Sequence, residues 1–187
     1  MPRARHDAPP ADPTPPVHWR PRTPDGARPC SIADTLTLVG EKWSLLVVRE
    51  VLYGMHRFDE IQRGTGAPRD ILAARLNRLV EAGVLYREPY QQRPVRHAYL
   101  LTRAGLDLGP VLLHLKAWGD RYLAPAHHGG PPVEFVHDCG QVFEPRTGCS
   151  ACGEPVSDGS LSLGPAVSSD AGAVAARSPM QDGPFRR

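Results

Sequence analysis

The stretch that decides the fold is GAPRDILAARLNRLVEAGVL, residues 66–85. Pro68 suits the first turn of a helix, and Gly83 stands where a left-handed residue ends one. Between them the apolar residues recur at the spacing of a single helix face, and these residues are Leu72, Leu76, Leu79 and Val80. The stretch therefore predicts an amphipathic helix that buries one stripe.

The polar side of this helix holds more arginine than packing in a core requires. The residues predicted to face away from the core are Asp70, Ala74, Asn77, Arg78 and Glu81. Asn and Arg side chains can read base edges in a major groove about 12 Å wide. Asn77 and Arg78 are therefore the predicted base-reading residues, with Arg75 in support. The small Ala73 and Ala74 would allow close approach, and Arg69 would reinforce helix amides that favour phosphate. The alternative is a surface helix of an ordinary α-helical domain.

The residues before this stretch predict three shorter helices. Ser31 and Asp34 form a capping signal for a helix from Ile32 to Val39, which Gly40 ends. The sequence KWSLLVVREVLYG predicts a second helix that stops at Gly54, and RFDEIQR predicts a third.

The residues after it predict a hairpin. Two strand-like runs, VLYREPY and VRHAYLLT, are joined by residues 91–94. Arg93 and Arg96 lie at or near the tip, where their charge would contact a DNA backbone without selecting sequence. Helices followed by a basic hairpin form the order of a winged helix-turn-helix. The predicted fold is mainly α with this small hairpin.

Several stretches resemble the HxlR family of bacterial transcription regulators. They are GEKWSLLVVREVLYGMHRFDEI, GAPRDILAARLNRLVEAGVL and YLLTRAGLDLGPVLLHLKAWGDR, with Cys30 ahead of the first helix. The resemblance covers residues 30–123 and implies a winged-helix homodimer that binds inverted repeats near promoters, often as a repressor. It also implies that residues 66–85 hold the recognition helix, that the hairpin is the wing, and that the first and last helices form the dimer interface.

The last helix predicts dimerisation from its own sequence. Thr102 is a plausible N-cap, and the helix has one broad apolar stripe of Leu108, Val111, Leu112, Leu115, Trp118 and Tyr122. Leu106 and Leu113 lie nearly opposite, so a partner helix would bury the surplus. We expect Pro110 to kink the helix. The alternative is a helix central to the core of its own chain.

Cys30 has two interpretations. In some members of the family that the sequence resembles, a cysteine here senses oxidants or electrophiles, and a thiol at a helix start, with Arg28 nearby, can be reactive. The alternative is a small buried cysteine without chemistry.

The C-terminal part contains a candidate zinc site. His137, Cys139, Cys149 and Cys152 supply four nitrogen or sulfur ligands, with Asp138 as a fallback, in the spacing of a small zinc ribbon. A segment of this size has too little apolar area to fold alone, which favours a structural metal. A redox dithiol or disulfide and inert thiols are the alternatives. The sequence indicates no other cofactor.

Composition sets the domain organisation. The 187 residues are 41% hydrophobic, enough for one domain-sized core. We expect a disordered tail at 1–29, the folded body at 30–123, a linker at 124–132, the Cys/His segment at 133–156 and a second disordered tail at 157–187. With no apolar run of membrane-spanning length and no signal-peptide pattern, we expect a soluble, cytosolic protein.

Charge favours DNA as the partner. Residues 40–103 hold eleven Lys or Arg against seven Asp or Glu, whereas residues 104–187 are net acidic. We therefore expect a protein that binds double-stranded DNA and is not an enzyme, with an unidentified small-molecule effector. Two alternatives from other classes are a winged helix used only for protein contacts and a thiol or metal enzyme built on the Cys/His segment.

Overall fold

The structure is a computed structural model, and it describes residues 30–157 and 159–161. The predicted tail at 1–29 and most of the one at 157–187 lie outside these residues. In the described part of the chain, no helix is both long enough and apolar enough to cross a membrane.

In the described part of the chain, four helices precede one antiparallel hairpin and three helices of different lengths follow it. In order, the elements are α1 Ser31–Val39, α2 Ser44–Leu52, α3 Phe58–Thr65, α4 Arg69–Glu81, β1 Leu85–Gln92, β2 Val95–Leu101, α5 Arg103–Leu106, α6 Leu108–Tyr122 and α7 Ala124–His127. This confirms the predicted mainly α fold with a small hairpin.

The core lies where α2, α3 and α4 meet the base of the hairpin. Its fully buried side chains include Val47 and Val48 of α2, Ile61 of α3 and Leu85 of β1, together with Leu72, Leu76 and Leu79 of α4. The predicted stripe is thus confirmed, with Val80 half-buried at its edge. This packing fixes one face of α4 and leaves the other outside the core.

Both ends of α4 follow from its sequence. Pro68 is the N-cap, and helical residues begin at Arg69. Gly83 has a φ of +74°, while the Val84 amide donates to the Leu79 carbonyl at 2.9 Å. This is the left-handed ending that the glycine predicts. It turns the chain directly into β1.

A buried charge joins α2 to α3. The Glu50 carboxylate, 7% exposed, accepts hydrogen bonds of 2.5 and 2.8 Å from Arg49, which also donates to the Gly64 carbonyl at 3.0 Å. A Cβ on Gly64 would lie 2.0 Å from a Glu50 carboxylate oxygen. A larger residue at position 64 would therefore force the Glu50 carboxylate to move away from its place between the two helices.

The start of α1 differs from the prediction by one residue. Cys30, not Ser31, is the N-cap, and its carbonyl accepts from the Asp34 amide at 3.0 Å. Ser31 is already helical, and its carbonyl accepts from the Thr35 hydroxyl at 2.7 Å. The end at Val39, with Gly40 as C-cap, is as predicted.

The hairpin is longer than predicted. β1 runs to Gln92, so only Arg93 and Pro94 connect it to Val95. The register shifts between Pro89 and Gln91, which makes Tyr90 the extra residue of a bulge. Arg57, just before α3, pairs with Ala98 of β2 and ties the hairpin to the helices.

The predicted last helix is broken near its start. α5 ends at Leu106, and α6 begins at Leu108 after the C-cap Asp107. Thr102 is the N-cap as predicted, with its hydroxyl accepting from the Gly105 amide at 3.2 Å. Pro110 is the third residue of α6, where a helix needs no amide donor. The kink predicted at Pro110 is therefore replaced by the break at Asp107.

The residues after α6 fold back onto it. Ala124–His127 form one helical turn with Ala124 buried, so the first four residues of the predicted linker are helical. Pro125 is tolerated there because it lies in the first turn. Residues 133–156, the C-terminal segment, then pack on α6 and α2 through the Phe135 ring. This ring lies 6.1 Å from that of Tyr53 and 5.5 Å from the Lys116 Nζ.

Candidate nucleic-acid interface

One arc of α4 remains open to solvent. Arg69, Asp70, Ala74 and Asn77 are exposed, and Ala73 is half-buried beside them. The backbone is accessible along this arc because alanine covers its middle. This arc therefore contains the residues in the first two and a half turns of α4 that were predicted to contact DNA.

Arg69 begins the arc and is weakly held. Its Nη1 lies 3.4 Å from the Asp59 carboxylate, and its guanidinium lies 4.7 Å from the centre of the Phe58 ring. The side chains of Arg69 and Asp59 are 72% and 71% exposed, so the ion pair contributes little stability. A phosphate could therefore replace Asp59 as the partner of Arg69.

Arg75 and Arg78 turn back toward the body. Both guanidinium groups pair with the Glu41 carboxylate, at 2.8 Å for Arg78 Nη1. Arg78 Nη2 also donates to the Thr37 carbonyl in α1. The prediction that Arg78 faces away is wrong, because its long side chain reaches a carboxylate between α1 and α2. The two arginines hold α4 in place, and DNA contacts by them remain a prediction.

The wing brings a second set of cations to the same side. Arg93 and Arg96 are exposed near its tip, as predicted. The Arg57 guanidinium lies 4.9 Å from the centre of the Tyr90 ring. A cleft of about 270 Å³ separates α3 and α4 from the wing, and its lining includes Arg69, Arg96 and His97. Basic side chains thus line both walls of this cleft.

Asn77 is linked to the wing. The Arg87 guanidinium of β1 donates to the Asn77 Oδ1. Arg87 also lies opposite Tyr99 in the hairpin register, 5.8 Å from the centre of its ring. The end of the exposed arc and the wing therefore form one polar surface.

Glu60 caps α3, which lies ahead of α4. Its Oε2 accepts from the amides of Arg57 at 3.0 Å and His56 at 3.2 Å. These bonds, the one from Arg57 foremost, hold the pKa of Glu60 below its usual value. The cap fixes the start of α3 next to the wing.

α6 carries an apolar stripe that the described part of the chain leaves uncovered. Val111, Leu115, Trp118 and Tyr122 are each more than half exposed. Ile32 and Leu36 of α1 are also exposed, at 72% and 55%. Leu106 packs against the core, and Leu113 faces the C-terminal segment across a cleft of about 330 Å³. The two leucines predicted to need a partner chain thus face their own chain.

The Cys/His residues lie in two turns of the C-terminal segment. His137 and Cys139 belong to a turn in which the Gly140 amide donates to the His137 carbonyl at 2.8 Å. Cys149 and Cys152 belong to a turn closed by Gly153, whose amide donates to the Cys149 carbonyl at 2.8 Å. Within residues 30–157 and 159–161, no three His, Cys, Asp or Glu side chains are placed to hold one metal ion.

The second of these turns directs backbone amides at one thiol. The amides of Cys152 and then Ala151 donate to the Cys149 sulfur, and with the Cys152 side chain they lower the pKa of the Cys149 thiol. All three C-terminal cysteines are exposed, whereas Cys30 is half-buried at the start of α1.

Sequence reasoning missed the partners of the predicted contact residues. Glu41 lies more than thirty residues before the arginines that it pairs with, so no local pattern could indicate the contact. Arg87 could have been found, because an arginine in a strand next to a recognition helix is a natural neighbour of that helix. Arg57 offered a weaker signal, as the residue just before a short helix.

Comparison with known proteins identifies the family. The HxlR-like helix-turn-helix family matches residues 38–127. The HTH-type transcriptional regulator Rv3095 of Mycobacterium tuberculosis is 44% identical over 127 residues, 67% of this chain and 79% of that protein. YdeP of Bacillus subtilis, another HTH-type regulator, is 35% identical over 94 residues, 50% of this chain and 73% of YdeP.

Two solved structures share the fold over most of their length. PA1607, described as a transcription factor, has a TM-score of 0.63 and 34% identity, covering 72% of this chain and 94% of that one. PA1374 of Pseudomonas aeruginosa, also described as a transcription factor, has a TM-score of 0.53 and 40% identity, covering 75% and 96%. With its winged helix-turn-helix, the chain belongs to the HxlR-like family of DNA-binding transcriptional regulators.

Proposed function

We propose that the protein acts as a homodimeric repressor on inverted-repeat operators, with α4 in the major groove and the wing along the backbone. The observation that carries this proposal is the joint polar surface of α4 and the wing. It presents Asn77 beside Arg87, with Arg69 at the opposite end of the arc. The repressor role rests on the family resemblance.

The position of each side chain indicates which part of the DNA it would contact. Asn77 and Arg69 lie on the exposed arc, where an amide can reach base edges and a guanidinium can reach phosphate. Arg93 and Arg96 project from the wing, where backbone contacts add affinity without selecting sequence. The side chains of Arg75 and Arg78 turn toward the body of the protein and fix α4 through their ion pairs with Glu41.

Dimerisation is supported by the stripe on α6. A contiguous set of side chains more than half exposed, with two more on α1, is unusual for a monomer. Two chains joined through α1 and α6 would place their recognition helices about 34 Å apart, one turn of DNA. The two-fold symmetry of such a dimer would match an inverted repeat, and the spacing would set the separation of its half-sites.

The deciding experiment compares two substitutions on DNA selected by the parent protein. Asn77→Ala should reduce discrimination between bases by roughly 1 to 3 kcal/mol. Arg93→Ala should weaken binding evenly across sequences and flatten its salt dependence. If Asn77→Ala leaves both affinity and preference unchanged, α4 does not read the DNA through this arc.

A winged helix used only for protein contacts makes a different prediction about salt. Phosphate contacts release counterions, so DNA affinity must fall steeply as salt rises. Arginines on both sides of the cleft between α4 and the wing, Arg69 and Arg96, favour the DNA interface. No part of the proposal requires catalysis.

We also propose that the C-terminal segment binds one structural zinc ion through His137, Cys139, Cys149 and Cys152. In support, the ligands come in two pairs, each in a turn ended by a left-handed glycine, Gly140 or Gly153. The pairs lie in separate turns, so an ion bound by all four residues would join them. Zinc would then supply folding energy that the small segment otherwise lacks.

A further inference from the structure

The amide of Asn77 has a defined orientation before any DNA is present. The guanidinium of Arg87 has donors only, so the atom of Asn77 that faces it must be the oxygen. The amide nitrogen is consequently directed away from Arg87. Among the described residues, this nitrogen has no protein acceptor.

Arg87 is itself held by the wing. Its cross-strand partner Tyr99 is half-buried against the core, and the Tyr99 amide donates to the His56 carbonyl at 2.8 Å. The guanidinium lies 5.8 Å from the centre of the Tyr99 ring, within the range of a cation–π contact. A ring fixed to the core thus positions the cation, and the cation positions the amide.

We propose that Arg87 sets the base preference of Asn77, and that the pair selects guanine rather than adenine. This rests on the proposed function, in which Asn77 faces the major groove. An asparagine reads adenine by accepting from N6 and donating to N7. The oxygen that would accept from N6 already accepts from Arg87, and the positive guanidinium opposes the approach of the adenine amino group as a second donor. Guanine presents two acceptors, O6 and N7, and so matches the outward amide donors.

Charge supports the same choice. The guanidinium beside Asn77 attracts the acceptor atoms of guanine and repels the amino groups that adenine and cytosine present in the major groove. Thymine offers one acceptor, O4, and a methyl group, so it matches the pair less well than guanine. Arg87 is therefore a positioning residue that determines specificity through Asn77.

The experiment selects duplexes from a random-sequence pool with the parent protein, Asn77→Ala, Arg87→Ala and the double variant. The parent should show a guanine whose preference Asn77→Ala reduces by roughly tenfold. Arg87→Ala, with the amide released, should lose this guanine preference and gain adenine at that one position. The double variant should resemble Asn77→Ala, because the two residues act as a unit.

Two controls keep the outcomes separate. Arg93→Ala removes a wing cation away from Asn77 and should lower affinity without changing any base preference. Replacing the selected guanine by 7-deazaguanine should weaken binding of the parent more than that of Asn77→Ala. Circular dichroism checks that each variant is folded.

The failures are distinguishable. If Asn77→Ala alters preference at no position, the proposed reading face is wrong. If Asn77→Ala alters a position that the parent reads as adenine, or if Arg87→Ala lowers affinity evenly as Arg93→Ala does, the reading face stands and the role of Arg87 is refuted.

Discussion

Arg78 of the recognition helix lies with its Nη1 2.8 Å from Oε1 of Glu41, in the turn between α1 and α2. The same carboxylate also pairs with Arg75. The Glu41 side chain thus links the recognition helix α4 to the turn between α2 and α1, the latter a helix of the proposed dimer interface.

Replacing Glu41 should destabilise the fold. Glu41→Ala leaves two half-buried guanidinium groups without their carboxylate, so we expect a loss of about 1 kcal/mol, discounted because Glu41 is 39% exposed. The free energy of unfolding in urea measures this loss. Arg103→Ala is the matched control, since its 3.1 Å pair with Asp107 is 69% and 61% exposed and should contribute almost nothing. Equal stabilities of the two variants would contradict the anchoring role of Glu41.

Charging the stripe on α6 should dissociate the dimer. Leu115→Glu places a carboxylate in the middle of the proposed apolar interface, where burial without a partner is costly. Sedimentation should show the parent as a dimer and Leu115→Glu as a monomer at micromolar concentration. Val136→Glu, which changes a residue that is 64% exposed on the C-terminal segment against 51% for Leu115, should remain dimeric. A monomeric parent protein would refute the interface.

The cap on α3 should make stability depend on pH. Because the pKa of Glu60 is lower in the folded protein than its usual 4.5, its contribution is complete above that value and is lost as pH falls through the folded pKa. Glu60→Gln keeps an oxygen that accepts from the backbone but loses the charge, so it should cost roughly 0.3 to 1 kcal/mol near neutral pH and less near pH 3. Urea unfolding at both pH values tests this. A difference between the two proteins that grows in acid would have the wrong sign.

Zinc removal should loosen the C-terminal segment. Protein purified without chelator should contain about one zinc per chain, which Cys149→Ser abolishes and Cys30→Ser leaves intact. After chelation, Cys149 should be alkylated before Cys139, because its lowered pKa gives more thiolate at neutral pH. Metal content near zero with three rapidly alkylated thiols would refute the site.

Cys30 supplies a prediction about sensing. Its half-buried position at the start of α1, next to exposed Ile32, would let a modification alter the proposed dimer interface. A quinone should modify the parent protein at Cys30 and change its DNA affinity, while Cys30→Ser should not respond. Equal responses would make the thiol a bystander.

The sequence predicted what repeats along one helix or strand. The stripe of Leu72, Leu76 and Leu79 and the left-handed Gly83 were readable because their causes are local. The direction of Arg78 was not, since a flexible side chain follows a carboxylate that only folding brings near. Leu113 was misread for the same reason: the segment that faces it lies beyond the predicted linker. The exposure of the α6 stripe could not be predicted either, because it depends on how the described parts of the chain pack together.

The docking of Phe135 between Tyr53 and Lys116 has a consequence for how many chains assemble. It places the C-terminal segment against one flank of α6, so among the described residues the helix offers its other flank alone to a second chain. A single self-complementary patch closes on its own copy, whereas two different patches could link chains head to tail without limit. In the proposed dimer, a segment that occupies one flank of α6 would limit assembly to two chains and would prevent filaments.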